Sequence, residues 1–272
     1  MRSTVDLFTG PDLTLSEVTC RDDHTRWSAP EAPFSRHVLV LAQRGRFRRR
    51  GREGITDVDP HVGYLTEPGA DQCFAHPHGG DVCTAIGVGP ALWAGLPSVP
   101  SHRSTVYVDA RMELLHHRVI TAARAGDPDY ALVEGLLALL GQALRQYCER
   151  PSRAPSPADR ALAASAREAI ASAHPAASGL LPLAELLHAS PYRLSRAFAH
   201  EFGVSVTRYR NRVRVGSALR RLAEGEPDLA GLAAELGFTD QSHLCRTIRQ
   251  HVGETPTALR AAFRTASAPA DG

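Results

Sequence analysis

Residues 229–260 read LAGLAAELGFTDQSHLCRTIRQHVGETPTALR, and this stretch decides the fold of the C-terminal half. Leu229, Leu232, Ala233 and Leu236 recur at helical spacing, the period of an amphipathic α-helix. Gly237 stands where that helix must stop, and glycine takes a left-handed C-cap without steric cost. Thr239 or Asp240 then offers a side-chain oxygen to cap a second helix. Leu244, Ile248 and Val252 give the second helix an apolar stripe, while Gln241, Ser242, His243, Cys245, Arg246 and Arg249 face elsewhere. One apolar side and one Arg/Gln/His side suit a helix lying in the major groove of DNA. The same pattern fits a surface helix of a bundle, so the surrounding sequence has to decide.

The chain has 272 residues, enough for two domains with a core each. An apolar content of 43% with 22% charged residues is that of a soluble globular protein. The net charge is +2, unevenly placed: residues 158–265 hold 14 Arg against 10 acidic residues, and the remainder holds 17 against 19. There is no Lys, so all side-chain positive charge near neutral pH is guanidinium, which favours bidentate contacts to phosphate or guanine. The N-terminal MRSTVDLFTGPDLT has no apolar core, so no secretory signal is expected. The most apolar run, Ala131 to Leu144, is too short to span a bilayer. Five cysteines at scattered spacing are not a disulfide framework, and the chain reads as cytoplasmic.

Residues 1–109 read as mainly β. Apolar runs at Leu13–Cys20, His37–Ala42, Val62–Thr66, Val82–Val88 and Thr105–Val108 are punctuated by Gly, Pro and Asp, as in a small antiparallel barrel or sandwich. The basic cluster Arg46–Arg52 between two such runs is expected on the exposed face of a hairpin. Residues 110–150 change to helical period: Met112, Leu115 and Val119, then Leu132, Leu136, Leu140 and Leu144, with a break at Asp127-Pro128. That stripe can pack on the β domain or form a dimer interface. Residues 151–157, with three prolines, read as a linker. Residues 158–265 read as all-α, and residues 266–272 as a disordered tail.

An internal repeat raises the specificity of the opening stretch. Leu183-Ala184, a turn, and Leu194-Ser195-Arg196-Ala197-Phe198 are echoed by Leu232-Ala233, a turn, and Leu244-Cys245-Arg246-Thr247-Ile248. Gly203 and Ser205 follow the first copy as Gly253 and Thr255 follow the second. In this doubled helix-turn-helix pattern the sequence resembles the AraC/XylS family of transcription regulators over roughly 160–265. The strongest match is Ala233, Gly237-Phe238, Asp240-Gln241-Ser242, Leu244 and Arg246, then Gly253, Thr255-Pro256 and Arg260. The first unit departs from the pattern at its turn, where His188 stands in place of the usual glycine; a working but costlier turn is expected there.

The resemblance implies that both second helices enter successive major-groove segments, about 34 Å apart. By position, Tyr192, Arg193, Ser195 and Arg196 would face DNA in the first unit, and Gln241, Ser242, His243, Cys245 and Arg246 in the second. Arg196 and Arg246 suit guanine, and Gln241 suits adenine; phosphate contacts or internal ion pairs are the alternatives for each Arg. Double-stranded DNA and RNA polymerase are the implied partners, a homodimer is compatible, and no catalytic residue is expected. The resemblance further implies that residues 1–109 form a cupin-like β-barrel sensing an effector. The whole would then be α+β: a cupin-like barrel with a helical pair, then an all-α domain with two helix-turn-helix units. The enzyme-type cupin motif of paired His and Glu is absent.

The N-terminal half also carries a Cys/His constellation. Cys20 and His24 are separated by three residues, and Cys73, His76, His78 and Cys83 cluster across a Gly-rich turn. Cys20, His24, His76 and Cys83 can be drawn together as ligands of Zn²⁺ or another borderline-soft metal. The alternatives are a redox thiol pair, or buried cysteines and turn-capping histidines. Beside the effector-responsive regulator stand two other readings: a metal- or redox-sensing regulator, and a DNA-repair alkyl acceptor using a metal-activated Cys20, Cys73 or Cys83.

Overall fold

The computed structural model describes residues 2–21, 24–31, 34–96, 104–125, 130–148 and 156–267. The chain divides into two units, residues 1–108 with 115–155, and residues 109–114 with 156–272. Among the described residues no helix is long and apolar enough to cross a membrane.

The first unit is built on nine strands: β1 (Arg2–Thr9), β2 (Leu13–Cys20), β3 (His37–Arg44), β4 (Phe47–Gly51), β5 (Gly54–Val58), β6 (Val62–Thr66), β7 (Cys73–Ala75), β8 (Asp81–Val88) and β9 (Thr105–Tyr107). A short helix α1 (Pro90–Ala94) follows β8. The strands form a six-stranded sheet, β1-β2-β8-β3-β6-β9, and a three-stranded sheet, β5-β4-β7. The ladders are antiparallel throughout. Both sheets share one core: Val38, Val40 and Cys83 from the larger meet Phe47, Val58 and Phe74 from the smaller. This is an antiparallel double-sheet plan, as the strand spacing of the sequence predicts.

Five strands fall on the apolar runs read from the sequence; β1, β4, β5 and β7 do not. β1 is an edge strand whose Val5 is exposed, so it carries little apolar signal. β4 and β5 form the hairpin expected around Arg46–Arg52, with Arg48 and Arg50 exposed. Arg49 departs from that reading. It is 1% exposed, because alternate residues of a strand face opposite sides. Its Nε donates to Gln72 Oε1 at 2.7 Å and its Nη1 to Ser104 Oγ at 2.9 Å. The guanidinium lies 4.6 Å from the Tyr64 ring centroid. Those partners make burial of the charge tolerable.

Two helices follow, α2 (Ala110–Arg124) and α3 (Tyr130–Cys148). The α3 stripe is buried at Leu132, Leu136, Leu139, Leu140 and Leu144. Gln146 binds both backbone groups of Tyr107: its Oε1 accepts from the amide at 2.9 Å and its Nε2 donates to the carbonyl at 2.6 Å. A helix side chain thus satisfies strand groups on β9, as buried backbone requires. The expected break at Asp127-Pro128 lies outside the described residues.

The second unit contains α4 (Pro157–Ala171), a 3₁₀ turn (Pro175–Ser178), α5 (Leu180–Leu186), α6 (Pro191–Phe202), α7 (Val206–Ala223), α8 (Leu229–Glu235), α9 (Gln241–Val252) and α10 (Pro256–Ser267). α4 begins inside the stretch read as linker: Ser156 caps it through its hydroxyl and Pro157 occupies the first turn, a position where proline is well suited. Residues 151–155 of that stretch are outside the described residues. α10 runs two residues into the stretch read as tail, and 268–272 lie outside the described residues.

Candidate nucleic-acid interface

The pairs α5–α6 and α8–α9 are two copies of one local device. In each turn the chain folds back with the same hydrogen bonds: Ala189 N donates to Ala184 O at 3.0 Å, and Phe238 N to Ala233 O at 2.8 Å. The residue between takes a left-handed conformation, His188 with φ 51° and Gly237 with φ 70°. The second helix is capped by Ser190 Oγ on the Arg193 amide, or by Asp240 Oδ1 on the His243 amide. It ends on a left-handed glycine, Gly203 or Gly253. The next helix is capped in turn by Ser205 on Arg208 or Thr255 on Ala258.

His188 is exposed and makes the conformation glycine would take freely. A left-handed L-residue costs about 1–2 kcal/mol, offset by the roughly 0.5–1 kcal/mol that glycine loses in chain freedom. His188→Gly is therefore expected to leave the second unit between unchanged and about 1 kcal/mol more stable. Urea unfolding followed by far-ultraviolet circular dichroism measures this; a clear loss of stability would give the His188 side chain a role of its own.

Burial follows the same repeat. Leu194, Ala197, Phe198 and Phe202 are buried on α6, as are Leu244, Thr247, Ile248 and Val252 on α9. The opposite face of α6 exposes Tyr192, Arg193 and Arg196, with Ser195 half-buried. The same face of α9 exposes Gln241, Ser242 and Arg246, with Cys245 half-buried. Tyr192 is 71% exposed, and the Arg196 guanidinium lies 5.5 Å from its ring centroid. Among the described residues Arg246 makes no ion pair.

Two of the residues read as DNA-facing have internal partners. Arg193 Nε donates to Asp159 Oδ1 at 3.0 Å. The Ser156 hydroxyl, and then Arg193, hold the Asp159 carboxyl below its ordinary range. The His243 ring turns back into the turn: its Nδ1 is 3.4 Å from the Thr239 amide and 3.3 Å from Thr239 Oγ1, and it meets Phe238 edge-on at 5.4 Å.

α7 contributes a residue that sequence reasoning passed over. Arg214 Nε donates to Leu236 O at 2.6 Å, and its guanidinium lies 4.0 Å from the Phe238 ring centroid. It satisfies a carbonyl that the end of α8 leaves unpaired and clamps the second turn. Burial, and then neighbouring Arg210, lower its pKa to about 10, which leaves it cationic at neutral pH. Arg221 binds Glu226 and Glu235, and Arg260 donates to the carbonyls of Glu226 and Pro227. Much of the Arg content of this unit is thus spent inside it. The alternation of apolar residues with Arg along α7 is the sequence signal that separates these clamps from an all-exposed basic face.

In the first unit the four residues read as a metal set do not form one set. Cys20, His76 and Asp81 have ligand atoms all within 4.8 Å of one another. His24 instead contacts His76, with Nε2 3.3 Å from His76 Nδ1. Cys83 donates its thiol to Asp81 Oδ2 at 3.0 Å. Antiparallel register explains this: Cys20 on β2 faces Asp81 on β8, whereas Cys83 faces Val18. Gly80 permits the approach, since a Cβ there would lie 2.4 Å from the Cys20 carbonyl oxygen. Asp81 was legible as the residue two before Cys83 and hence on the same strand face. The Asp81 carboxylate, then Cys20, raise the His76 pKa to about 9. Burial, then Asp81, push the Cys83 thiol well above its ordinary value. His78 is not part of the group.

A two-fold repeated helix-turn-helix with exposed second helices is a DNA-reading class of domain. The helix-turn-helix domain family matches residues 183–262. The regulatory protein PocR of Salmonella typhimurium is 32% identical over 87 residues, covering 32% of this chain and 29% of that one. The arabinose operon regulatory protein of Escherichia coli is 32% identical over 72 residues, 26% of this chain and 25% of the relative. The chain thus matches less than a third of the length of these curated relatives. The solved structure of ToxT from Vibrio cholerae, bound to a naphthalenyl butenoic acid, covers 93% of this chain and 99% of its own, at 8% identity and a TM-score of 0.37. Residues 183–262 thus match a helix-turn-helix domain family and are similar in sequence to parts of these two regulatory proteins.

Proposed function

We propose that the chain is a sequence-specific transcriptional regulator that reads DNA with α6 and α9 and responds to an effector through its β unit. The repeated exposure pattern of these two helices carries this reading. Two helices capped at equivalent positions, with the same buried face and the same outward Arg, form a two-point reader. Arg196 and Arg246 are the guanine contacts, Gln241 the adenine contact, and Tyr192, Ser195, Ser242 and Cys245 line the same faces. Arg193 would exchange Asp159 for a phosphate, and His243 would hold the α9 entry rather than touch a base. Duplex DNA, RNA polymerase and a second copy of the chain are the partners of this reading.

The alkyl-acceptor alternative needs a nucleophilic thiolate open to DNA. Cys73 and Cys83 are buried, and burial pushes the Cys83 thiol well above its ordinary value, so of the three thiols only the half-buried Cys20 is left to that reading.

Footprinting on genomic fragments tests the function, and Arg246→Ala tests the site. The substitution is expected to cost about 1–3 kcal/mol on the cognate sequence and to relax preference at one position. An equal loss on every sequence, with a shallower salt dependence, would make Arg246 a phosphate contact. No sequence-selective footprint from the full chain would sink the function itself.

A further inference from the structure

We propose that Cys20, His76 and Asp81 form a three-ligand site for a borderline divalent cation of the Zn²⁺ class, with its fourth position open to the cavity inside the β unit. The three ligand atoms lie within 4.8 Å of one another. Tetrahedral zinc with metal–ligand bonds of about 2.0–2.3 Å places its ligand atoms roughly 3.3–3.8 Å apart, so a small opening of the His76–Asp81 pair and a small approach of Cys20 complete the set. One thiolate, one imidazole and one carboxylate is a mixed donor set that favours Zn²⁺ and its neighbours over Mg²⁺ or Ca²⁺.

The surroundings are those of a built site. Asp81 is 4% exposed and His76 is 6% exposed. Asp81 and His76 each have a partner that fixes them from outside the set. The Cys83 thiol donates to Asp81 Oδ2 and leaves Oδ1 toward His76, at 3.0 Å from Nε2. His24 Nε2 contacts His76 Nδ1, while His24 Nδ1 is 2.7 Å from Arg26 O. The His76 amide also donates to His24 O at 2.8 Å, and Phe47 stacks on the His76 ring at 5.8 Å. Outer partners of this kind orient metal ligands and tune their basicity. Cys20 enters the site as thiolate, its proton released to solvent.

The three ligands stand at one side of a cavity of about 220 Å³ whose other walls include Phe47, Tyr64 and Phe74. Three protein ligands leave one coordination position for water or an incoming ligand. That position would take the anionic or thiol head of a small molecule whose apolar part lies on the aromatic wall. This inference concerns the β unit alone and stands whether or not the DNA-reading proposal holds.

Full-length protein stripped with chelator under reducing conditions and titrated with Co²⁺ tests it. One equivalent is expected to bind with tetrahedral visible absorption and a thiolate-to-cobalt charge-transfer band, both bleached by Zn²⁺. Cys20→Ser should remove the charge-transfer band, His76→Gln and Asp81→Asn should abolish stoichiometric binding, and Cys73→Ser and Cys245→Ser should leave the spectrum intact. Cys83→Ala should weaken binding about 10- to 100-fold. Zn²⁺ should also protect Cys20 of the unaltered protein from alkylation, a readout independent of variant folding. No cobalt–thiolate band in the unaltered protein, or a band that survives Cys20→Ser or vanishes in Cys245→Ser, overturns the proposal.

Discussion

Phe198→Ala is expected to destabilise the helical unit by about 3–5 kcal/mol. Phe198 is fully buried at the centre of an aromatic group, 4.7 Å from Phe202 and 5.3 Å from Tyr209 between ring centroids. Arg167 Nε donates to Tyr209 Oη at 3.2 Å and so ties α4 to the same group. Truncation removes the aromatic pairing as well as the buried area, and the rigid neighbours cannot fill the space. The repeat supplies a control. Ile248 occupies the equivalent place in the second unit, fully buried beside Val252 and Leu259, so Phe198→Ile should cost less than Phe198→Ala.

The measurement can be confined to the unit concerned. Both tryptophans, Trp27 and Trp93, lie in the β unit, so fluorescence follows that unit while far-ultraviolet circular dichroism is weighted to the helices. With a urea slope of about 1–3 kcal/mol per molar, Phe198→Ala should lower the helical midpoint by more than about 1 M. An unmoved helical midpoint would remove Phe198 from the core of the first helix-turn-helix. The consequence for function is specific: α6 should lose its place on DNA while α9 keeps its own, which shortens the footprint rather than erasing it.

The same comparison explains what the sequence could reveal. The helical unit was legible because its signals are local. Caps at Ser190, Asp240 and Ser205, stops at Gly203 and Gly253, and apolar residues at helical spacing each act within a few positions. The left-handed turn at His188 was legible for that reason too, since only its place relative to Gly237 was needed. The internal roles of Arg193, Arg214 and His243 were not. Each depends on a partner set by the folded chain: Asp159 at a separation of 34 residues, Leu236 at 22, and a ring met edge-on across a turn. An Arg that reads DNA and an Arg that clamps a carbonyl have the same letter and the same local spacing.

In the β unit the loss was greater, because strand signals are weaker and register is not local. Shifting attention by two residues along β8 separates Cys83 from Asp81, and only the pairing with β2 says which of them meets Cys20. Arg49 illustrates the converse. Within the run Arg48-Arg49-Arg50 the middle residue points inward, and nothing in three identical side chains marks it. Gln72 and Ser104, 23 and 55 residues away, make that burial tolerable.

Register also places the one buried imidazole that should dominate the acid stability of the β unit. His116 on α2 is 6% exposed, and its Nε2 lies 2.7 Å from Thr84 Oγ1 on β8. Gln43 Nε2 donates to the same oxygen at 3.0 Å, so the Thr84 hydroxyl proton is free to go to His116. In that arrangement Nε2 accepts, and the neutral ring is the one that fits. Burial, and then neighbouring His117, lower the His116 pKa to about 4. The unfolded chain binds this proton near pH 6.5 and the folded unit does not, so stability is present above about pH 6.5 and falls as pH drops toward about 4. His76 has the opposite sign: its contribution is complete below about pH 6.5 and is lost as pH rises toward about 9. It changes above about pH 6.5 and is common to any two proteins that differ only at His116, so it cancels between them.

Between about pH 7.5 and about pH 4.5 the β unit is expected to lose about 2–3 kcal/mol through His116 alone. His116→Gln retains an acceptor for the Thr84 hydroxyl and cannot titrate. Fluorescence-detected urea unfolding at the two pH values gives the difference for each protein, and the carboxylates common to both cancel. The acid loss should be smaller in His116→Gln by about 2–3 kcal/mol. Equal losses in the two proteins would mean that His116 is reached by solvent and protonates without opposing the fold.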